Sequence, residues 1–528
     1  MAMNTSESGT LLILSPCLLR QDLWKECDRH LGGSRIDLVI NLSRVSDGEV
    51  RKLLAPVQVV TPSERLTEIS RWLNRPFASF ISSIPQAMDG VNSGLLSSVT
   101  RRVPSSVWAI SSLAEKNNKI HPSFFFACVG EYLKETLEDS ALKRAMVFAS
   151  RSSGYHFFET LCPQLGLDVM PKGKFRRASR ERSLEWLKVG LKRIRVLVRF
   201  LMTKVLLVGI KRVADDRVNV WLYTQFSRTW LGQGGSSFDR FYWRLPRVLS
   251  QTSRQRIGYL VNVGGTHFVR QVGEVARDIR HLRSTCSLAG DSYCFLEAYM
   301  RVSDALRFLL SPTYLMLFGR LLRSQSRSAF EFRGMDLSHV MSSEVFASMV
   351  RVPVDLLYME AVRRFVTEHQ VRDLIHPFFE YSWGKAILYG AADSEFECRN
   401  ISIQHGCFAS NLLVAINDPQ DFRNHAEGGN GIHLPLATGY YIDGVIPKSC
   451  LAESGYPEDR LFALGAPRFD TLGISKEGGV SHEVTEIVAQ ARNENGRVML
   501  LVPVPNDMQQ FASFMEDALA DLNPEECL

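Results

Sequence analysis

Short apolar segments alternate with longer helical segments along the first 170 residues, and this alternation limits the fold more than any other feature. The predicted strands cover residues 11–15, 35–42, 57–60, 145–149 and 166–170. The predicted helices cover residues 21–31, 47–54 and 64–73, with a further helix through His156 and Leu161. Strands that alternate with helices predict a parallel sheet covered on both faces. The predicted fold class is therefore α/β.

The same alternation resumes after residue 217. The later predicted strands cover residues 218–223, 257–263, 371–375, 401–404, 437–442, 461–464 and 498–502. A chain of 528 residues is too long for one compact core, so two or more lobes are expected.

The composition is that of an ordinary globular protein, with 45% hydrophobic and 22% charged residues. Ten cysteines occur without a Cys-x-x-Cys pair, which predicts reduced thiols rather than a disulfide framework or a zinc site. The apolar run 11–14 suits a first strand better than a signal peptide. No stretch of about 18 uncharged apolar residues occurs, so no membrane-spanning helix is predicted.

The segment Lys172–Arg212 departs from this composition, with fourteen lysines and arginines against two glutamates. Aliphatic residues recur there at alternating steps of four and three and share one helical face: Leu187, Leu191, Ile194, Val198, Leu201, Val205 and Val208. A basic stripe lies about a quarter-turn away: Lys188, Lys192, Arg195 and Arg199. The pattern fits an amphipathic helix on an anionic membrane surface, and equally a packed or partner-binding helix with a solvated basic edge. Nucleic acid is disfavoured as a partner, because no aromatic residues interleave with the charges.

One predicted strand ends abruptly in polar residues. Ile401–Ile403 is followed by Gln404, His405 and Gly406. Ligands of open α/β sheets bind in the crevice at the carboxyl ends of the strands. Histidine can orient or deprotonate a hydroxyl near neutral pH, and glutamine can hold a polar ligand. A purely structural histidine is the alternative.

Two other segments are predicted to converge on this crevice. Glu380 lies at a strand-to-helix junction, where a carboxylate can act as a base or cap the helix. Arg468 and Asp470 follow Gly465-Ala466-Pro467. The arginine can bind phosphate as a fork, or the pair can fix the loop between two lobes.

His425 and His433 flank a glycine-rich loop, residues 427–431, that is a candidate lid. Their spacing matches no metal motif. The sequence also contains no P-loop, no Gly-x-Ser-x-Gly elbow and no kinase signature.

The order of short motifs in the second half resembles the glycosyltransferases of bacterial surface polysaccharide assembly. These are enzymes of the GT-B type and include capsule and O-antigen proteins. The matching segments fall within residues 215–510 and are Phe238–Trp243, Pro377–Ala386, Ile403–Gly406, Gly439, Leu451 with Gly455, and Leu464–Asp470. Residues 1–214 match only as a general α/β pattern.

The resemblance implies two Rossmann-like lobes that face each other across a cleft, with acceptor bound by the N-terminal lobe and nucleotide-sugar by the C-terminal lobe. On this basis residues 1–171 are an N-terminal α/β segment and 172–216 a basic helical insertion. Residues 217–475 are then the rest of the acceptor lobe, and 490–528 the start of the donor lobe. Only one predicted helix follows the strand at 498–502, so the donor lobe is expected to be truncated and the second lobe incomplete.

The resemblance implies transfer of a sugar from a nucleotide-sugar donor to a glycan or lipid-linked acceptor, at the cytoplasmic face of the inner membrane. Glu380 or His405 would deprotonate the acceptor hydroxyl. The residues implied in substrate binding are Gln404, Gly406, Trp383, Arg468 and Asp470. No metal or other cofactor is expected, because helix N-termini and basic side chains can stabilise a leaving diphosphate.

Two further hypotheses remain open at this stage. A polyol-phosphate transferase of the teichoic-acid type uses a similar two-lobed fold, but its substrate is attacked at phosphorus. A non-catalytic assembly subunit would keep the acceptor lobe and the basic helix, and would bind the membrane or a partner transferase.

Overall fold

The structure is a computed structural model that describes residues 9–465, except 17, 32–34, 55–56, 90–106, 118–121, 139, 150, 171–177, 209–217, 226–229, 234–235, 240, 243–244, 254–255, 290–291, 324–327, 379, 407–412 and 424–431. Several predictions lie outside the described residues: Arg468, Asp470, His425, the loop 427–431, the strand 498–502 and the donor-lobe segment 490–528.

The first 170 residues form a five-stranded parallel sheet with strand order β3-β2-β1-β4-β5. Its strands are β1 (Gly9–Leu14), β2 (Leu38–Asn41), β3 (Gln58–Val60), β4 (Leu142–Phe148) and β5 (Asp168–Met170). Its helices are α1 (Arg20–His30), α2 (Asp47–Leu54), α3 (Ser63–Asp89), α4 (Ser112–Glu115), α5 (Ser123–Leu137) and α6 (Ser152–Gln164). Leu11 to Leu14 are fully buried, as expected for a central strand with helices on both faces. The predicted parallel α/β sheet is confirmed here.

A 30-residue helix, α7 (Ala178–Leu207), follows the first sheet. The chain then forms β6 (Val218–Gln225), β7 (Trp230–Gln233), β8 (Ser236–Asp239), β9 (Arg256–Asn262), β10 (Ser292–Phe295), β11 (Glu331–Phe332), β12 (Met335–Asp336), β13 (Asp373–Pro377), β14 (Arg399–Ile403), β15 (Gly439–Ile442) and β16 (Leu461–Ala463). The helices of this region are α8 (Leu245–Ser253), α9 (Val272–Ala289), α10 (Leu296–Tyr299), α11 (Val302–Leu309), α12 (Thr313–Leu321), α13 (Ser338–His369), α14 (Ser382–Ala392) and α15 (Val445–Glu453). Among the described helices, none combines the length and the apolar content that a membrane crossing requires.

Seven of these strands form a second parallel sheet with the order β10-β9-β6-β13-β14-β15-β16. Residues 1–171 and 217–475 were predicted to belong to one lobe, and in the described residues each range forms its own parallel sheet. One continuous hydrophobic core nevertheless includes residues of both sheets, such as Leu11 and Trp221. Helix α13 lies in this core, with Phe365 packed edge-on against Trp221 at 4.9 Å.

The order of the second sheet reverses between β6 and β13. From β6 the chain adds β9 and β10 on one side, and then β13 to β16 on the other. The pairing of β6 with β13 ends at Leu222 and Ile375. Beyond that point the buried hydroxyl of Tyr242 lies 2.6 Å from the carbonyl of Tyr223 and 3.1 Å from that of Ile375. A reversal of this kind opens a crevice at the carboxyl ends of the strands, where α/β proteins bind ligands.

Candidate functional site

Gln404 links the loops that leave two neighbouring strands. It follows β14, is only 4% exposed, and its side-chain amide is used at both ends. Nε2 donates to the carbonyl of Gly406 at 2.8 Å, and Oε1 accepts from the backbone N–H of Asp443 at 3.0 Å. Gln404 therefore shapes the exits of β14 and β15, and the ligand-binding role predicted for it stays a prediction.

His405 lies at the rim of the crevice and is partly exposed. Its ring packs edge-on against Phe241, with 4.9 Å between the ring centroids. Phe241 directly precedes Tyr242, so the segment Phe238–Trp243 supplies both the aromatic support of His405 and the hydroxyl at the strand reversal. Gly406 is exposed, and open space surrounds the position that a Cβ would occupy there.

Glu380 follows β13, the neighbour of β14 in the sheet. The residue keeps some exposed surface, whereas its carboxyl group is surrounded by protein. Burial raises the pKa of Glu380 to about 7, although the nearby ammonium of Lys385 acts in the opposite direction. A carboxyl group with this pKa can take up or release a proton near neutral pH, as a general base must.

Lys385 lies near this carboxyl group, and a second buried lysine, Lys116, lies next to Lys385. The Nζ atoms of Lys385 and Lys116 both donate to the carbonyl of Ala114, at 3.1 and 3.3 Å. Lys116 also donates to Oδ1 of Asn417 at 2.9 Å. Burial lowers the pKa of Lys385 to about 8, and burial together with the charge of Lys385 lowers the pKa of Lys116 to about 7. Titratable groups with such displaced pKa values cluster at functional sites.

Glu115 connects this cluster to α13 and α14. It is 2% exposed, pairs with Arg351 at 3.3 Å, and accepts hydrogen bonds from Asn117 and from the backbone N–H of Ser382. Burial alone would raise the pKa of Glu115, but Arg351 and these hydrogen bonds hold it below its usual value. Because Ser382 begins α14, Glu115 also fixes the helix start beside Glu380.

Helix α13 carries a stripe of polar residues on an otherwise apolar buried surface. The members recur at steps of four and three: Glu344, Ser348, Arg351, Asp355 and Tyr358.

The partners of this stripe come from both halves of the described chain. Ser123 donates to Glu344, and the backbone N–H of Ser112 donates to Ser348 at 3.0 Å. Further along, Asp355 lies 2.9 Å from Nε2 of His267, and Tyr358 donates to the carbonyl of Gly265 at 2.8 Å. This stripe was not predicted from the sequence, although polar residues at helical spacing inside an apolar helix are a recognisable signal.

A cavity of about 640 Å³ lies between α7, α13, the start of α6 and the segment after β9. The basic stripe predicted on α7 lines it, so this stripe is not simply a solvated edge. The charged residues of the lining are Arg151, Glu185, Lys188, Lys192, Arg195, Arg199 and Arg351. The sequence pattern fitted a membrane-bound helix and a packed helix with a solvated basic edge equally well, and it did not predict a cavity beside the stripe.

The predicted apolar face of α7 points away from the core. Leu187, Leu191 and Ile194 are 60%, 58% and 55% exposed. The face that packs on the protein is a third one, which includes Val189, Arg193 and Phe200. The guanidinium of Arg193 donates to the carbonyls of Phe308 and Ser311 at 2.9 and 2.8 Å, which anchors α7 to the end of α11.

Two other predicted residues, Trp383 and His433, differ in burial. Trp383 is 5% exposed and packs 6.1 Å from the ring of Tyr223, so it belongs to the core. His433 is exposed, and its carbonyl accepts a hydrogen bond from Tyr389. Within the described part of the chain, no group of three or more His, Cys, Asp or Glu side chains is arranged to hold a metal ion. Comparison of the chain with protein-family models, with curated proteins and with solved structures gave no match.

Proposed function

We propose that the chain is a GT-B-like glycosyltransferase of bacterial surface polysaccharide assembly, which transfers a sugar from a nucleotide-sugar to a glycan or lipid-linked acceptor. The motif order of residues 215–510 and the two parallel α/β sheets support this proposal. The observation that carries it is the position of Glu380, which has a pKa of about 7 and follows a strand next to the reversal of the sheet.

In the proposed reaction, ionised Glu380 accepts the proton of an acceptor hydroxyl. The hydroxyl oxygen forms a bond to the anomeric carbon of the donor sugar. The bond between that carbon and the diphosphate oxygen breaks, and the nucleoside diphosphate leaves with the electron pair. The ammonium of Lys385 favours the ionised form of Glu380. His405, which follows the adjacent strand, is the second candidate base.

The test compares Glu380→Gln and His405→Gln with Glu397→Gln, which changes an exposed carboxylate beyond α14. Loss of the base should lower kcat/KM by about 10² to 10⁴-fold. In the unchanged protein kcat/KM should fall as the pH drops below about 7, and Glu380→Gln should remove this dependence. Glu397→Gln should have the same kcat/KM and the same pH dependence as the unchanged protein.

Donors are first identified by calorimetric titration with a panel of nucleotide-sugars, and the product linkage is then determined. If none of the nucleotide-sugars in the panel binds, the transferase proposal is contradicted. Full activity in both site variants contradicts the assignment of Glu380 and His405. A phosphodiester linkage in the product would show that the protein is a polyol-phosphate transferase and not a glycosyltransferase.

We also propose that α7 attaches the protein to an anionic membrane surface on the cytoplasmic side. The exposed apolar face of α7, flanked by cationic side chains, has the pattern of helices that lie in the lipid interface. In flotation with anionic liposomes, Leu187→Ser with Leu191→Ser should weaken binding about tenfold or more. The control pair, Leu19→Ser with Val248→Ser, removes apolar groups of comparable exposure from outside α7. Binding that is insensitive to both salt and the α7 variants contradicts the proposal.

A further inference from the structure

The cavity beside α7 is strongly cationic. Its lining holds six lysine and arginine side chains and one glutamate. Three of these cations have partners: Lys188 pairs with Glu185, Arg351 pairs with Glu115, and Arg199 donates to the carbonyls of Phe268 and Val269. The excess of positive charge around this half-open cavity predicts an anionic ligand.

The remaining cations have no partner in the described part of the chain. Arg151, Lys192 and Arg195 form no ion pair there, although all three line the same cavity. Burial and the neighbouring charge of Arg195 lower the pKa of Arg199. Cationic groups that repel one another are relieved when an anion with several acceptor oxygens binds between them, as arginine and lysine bind phosphate. Arg151 also precedes the N-terminus of α6, whose cap lacks a side-chain hydrogen bond.

The cavity lies next to the exposed apolar face of the same helix. Residues 188, 192, 195 and 199 each follow an exposed apolar residue by one position: Leu187, Leu191, Ile194 and Val198. One residue corresponds to about 100° of rotation, so the basic stripe lies on the flank between the buried face and the exposed face. Val269, which is 51% exposed, adds an apolar group to the lining beside Arg199.

One ion pair connects the cavity to the segment that holds Glu380. Arg351 lines the cavity and pairs with Glu115. Glu115 in turn accepts the backbone N–H of Ser382, two residues after Glu380. Arg351 in the cavity is thus linked through Glu115 to the start of α14, which Glu380 precedes by two residues.

We propose that this cavity binds the phosphate or diphosphate head of a lipid-linked substrate, while its hydrocarbon chain lies along the exposed apolar face of α7. The inference rests on the proposed function, since it names the head and the chain of the lipid-linked acceptor. The cationic lining recognises the head. The adjoining apolar face explains why one helix carries both patterns.

The experiment measures binding of the full chain to farnesyl diphosphate, inorganic pyrophosphate and farnesol by calorimetric titration. Farnesyl diphosphate should bind at least tenfold more tightly than either pyrophosphate or farnesol. Lys192→Gln with Arg195→Gln should weaken binding of both diphosphates at least tenfold. Leu187→Ser with Leu191→Ser should weaken the binding of farnesyl diphosphate and leave the binding of pyrophosphate unchanged. The control, Lys143→Gln with Arg247→Gln, removes two exposed cations elsewhere and should change nothing.

Equal affinity for pyrophosphate and farnesyl diphosphate would show a site for a free phosphate compound and overturn the lipid assignment. Unchanged binding in the Lys192/Arg195 variant, or no binding of farnesyl diphosphate, overturns the site itself. The measurement needs no turnover. If the protein binds farnesyl diphosphate but transfers no sugar, the proposed function is refuted and the cavity proposal stands. If it transfers sugar but does not bind farnesyl diphosphate, the cavity proposal is refuted and the proposed function stands.

Discussion

The hydroxyl of Tyr242 provides a sharp test of how the crevice is built. Tyr242→Phe removes one oxygen from a side chain that is fully buried between β6 and β13. The carbonyls of Tyr223 and Ile375 then lose a donor at 2.6 and 3.1 Å, and no water can replace it without opening the core. A buried acceptor left without its partner costs about 1–3 kcal/mol. We expect a loss of about 2 kcal/mol in the free energy of unfolding, because the two carbonyls share one proton.

The assay is urea unfolding followed by far-ultraviolet circular dichroism. The matched control is Tyr441→Phe, which removes a hydroxyl from β15 of the same sheet, where it forms no hydrogen bond in the described part of the chain. The control should stay within about 0.5 kcal/mol of the unchanged protein. Equal effects of the two substitutions would refute the view that Tyr242 holds the strands at the reversal.

Three further predictions concern the surroundings of the site. Gly390→Ala should destabilise by about 1–3 kcal/mol, because its Cβ would lie 2.3 Å from the carbonyl oxygen of Met359. Gly190→Ala has open space and should instead stabilise by about 0.5–1 kcal/mol, and thermal midpoints compare the two. Arg351→Met should cost about 3–5 kcal/mol by leaving Glu115 buried without its cation, whereas Arg65→Met at an exposed pair should have no measurable effect in urea unfolding. Lys385 has a pKa of about 8 when folded and a higher one when unfolded, so its contribution to stability rises as the pH increases from about 8 towards 10. Lys385→Met should reduce the increase in the urea midpoint between about pH 8 and pH 10. If the variant keeps the full increase, Lys385 is not the buried group that causes it.

The sequence predicted the strands well because their apolar residues are contiguous. Strands 371–375 and 401–404 correspond to β13 and β14, and the residues that follow them do reach one edge of the sheet. Strand pairing was harder to predict, because parallel partners are joined through long crossovers. The two ranges assigned to one lobe therefore form two sheets.

The lysines beside Glu380 were beyond the reach of sequence patterns. Lys385 lies in the apolar helix α14, and a single lysine in such a helix is normally predicted to be exposed. It is buried because Ala114, which is 271 positions away in the chain, provides the carbonyl that accepts its hydrogen bond. The same limit applies to α7, whose apolar and basic faces were predicted correctly as faces. Whether a face of α7 is covered or exposed depends on residues from distant parts of the chain.

The polar groups between the two sheets are better explained by function than by stability. A buried ion pair such as Glu115–Arg351 loses so much hydration that apolar residues of similar volume would stabilise a fold as well or better. The described structure nevertheless places this pair, His267 with Asp355, and two buried lysines around one crevice. Each also fixes backbone there: Glu115 holds the start of α14, and Asp355 holds the loop after β9. With Lys116, Lys385 and Glu380, whose pKa values are about 7 to 8, these buried groups fit the proton-transferring site proposed above.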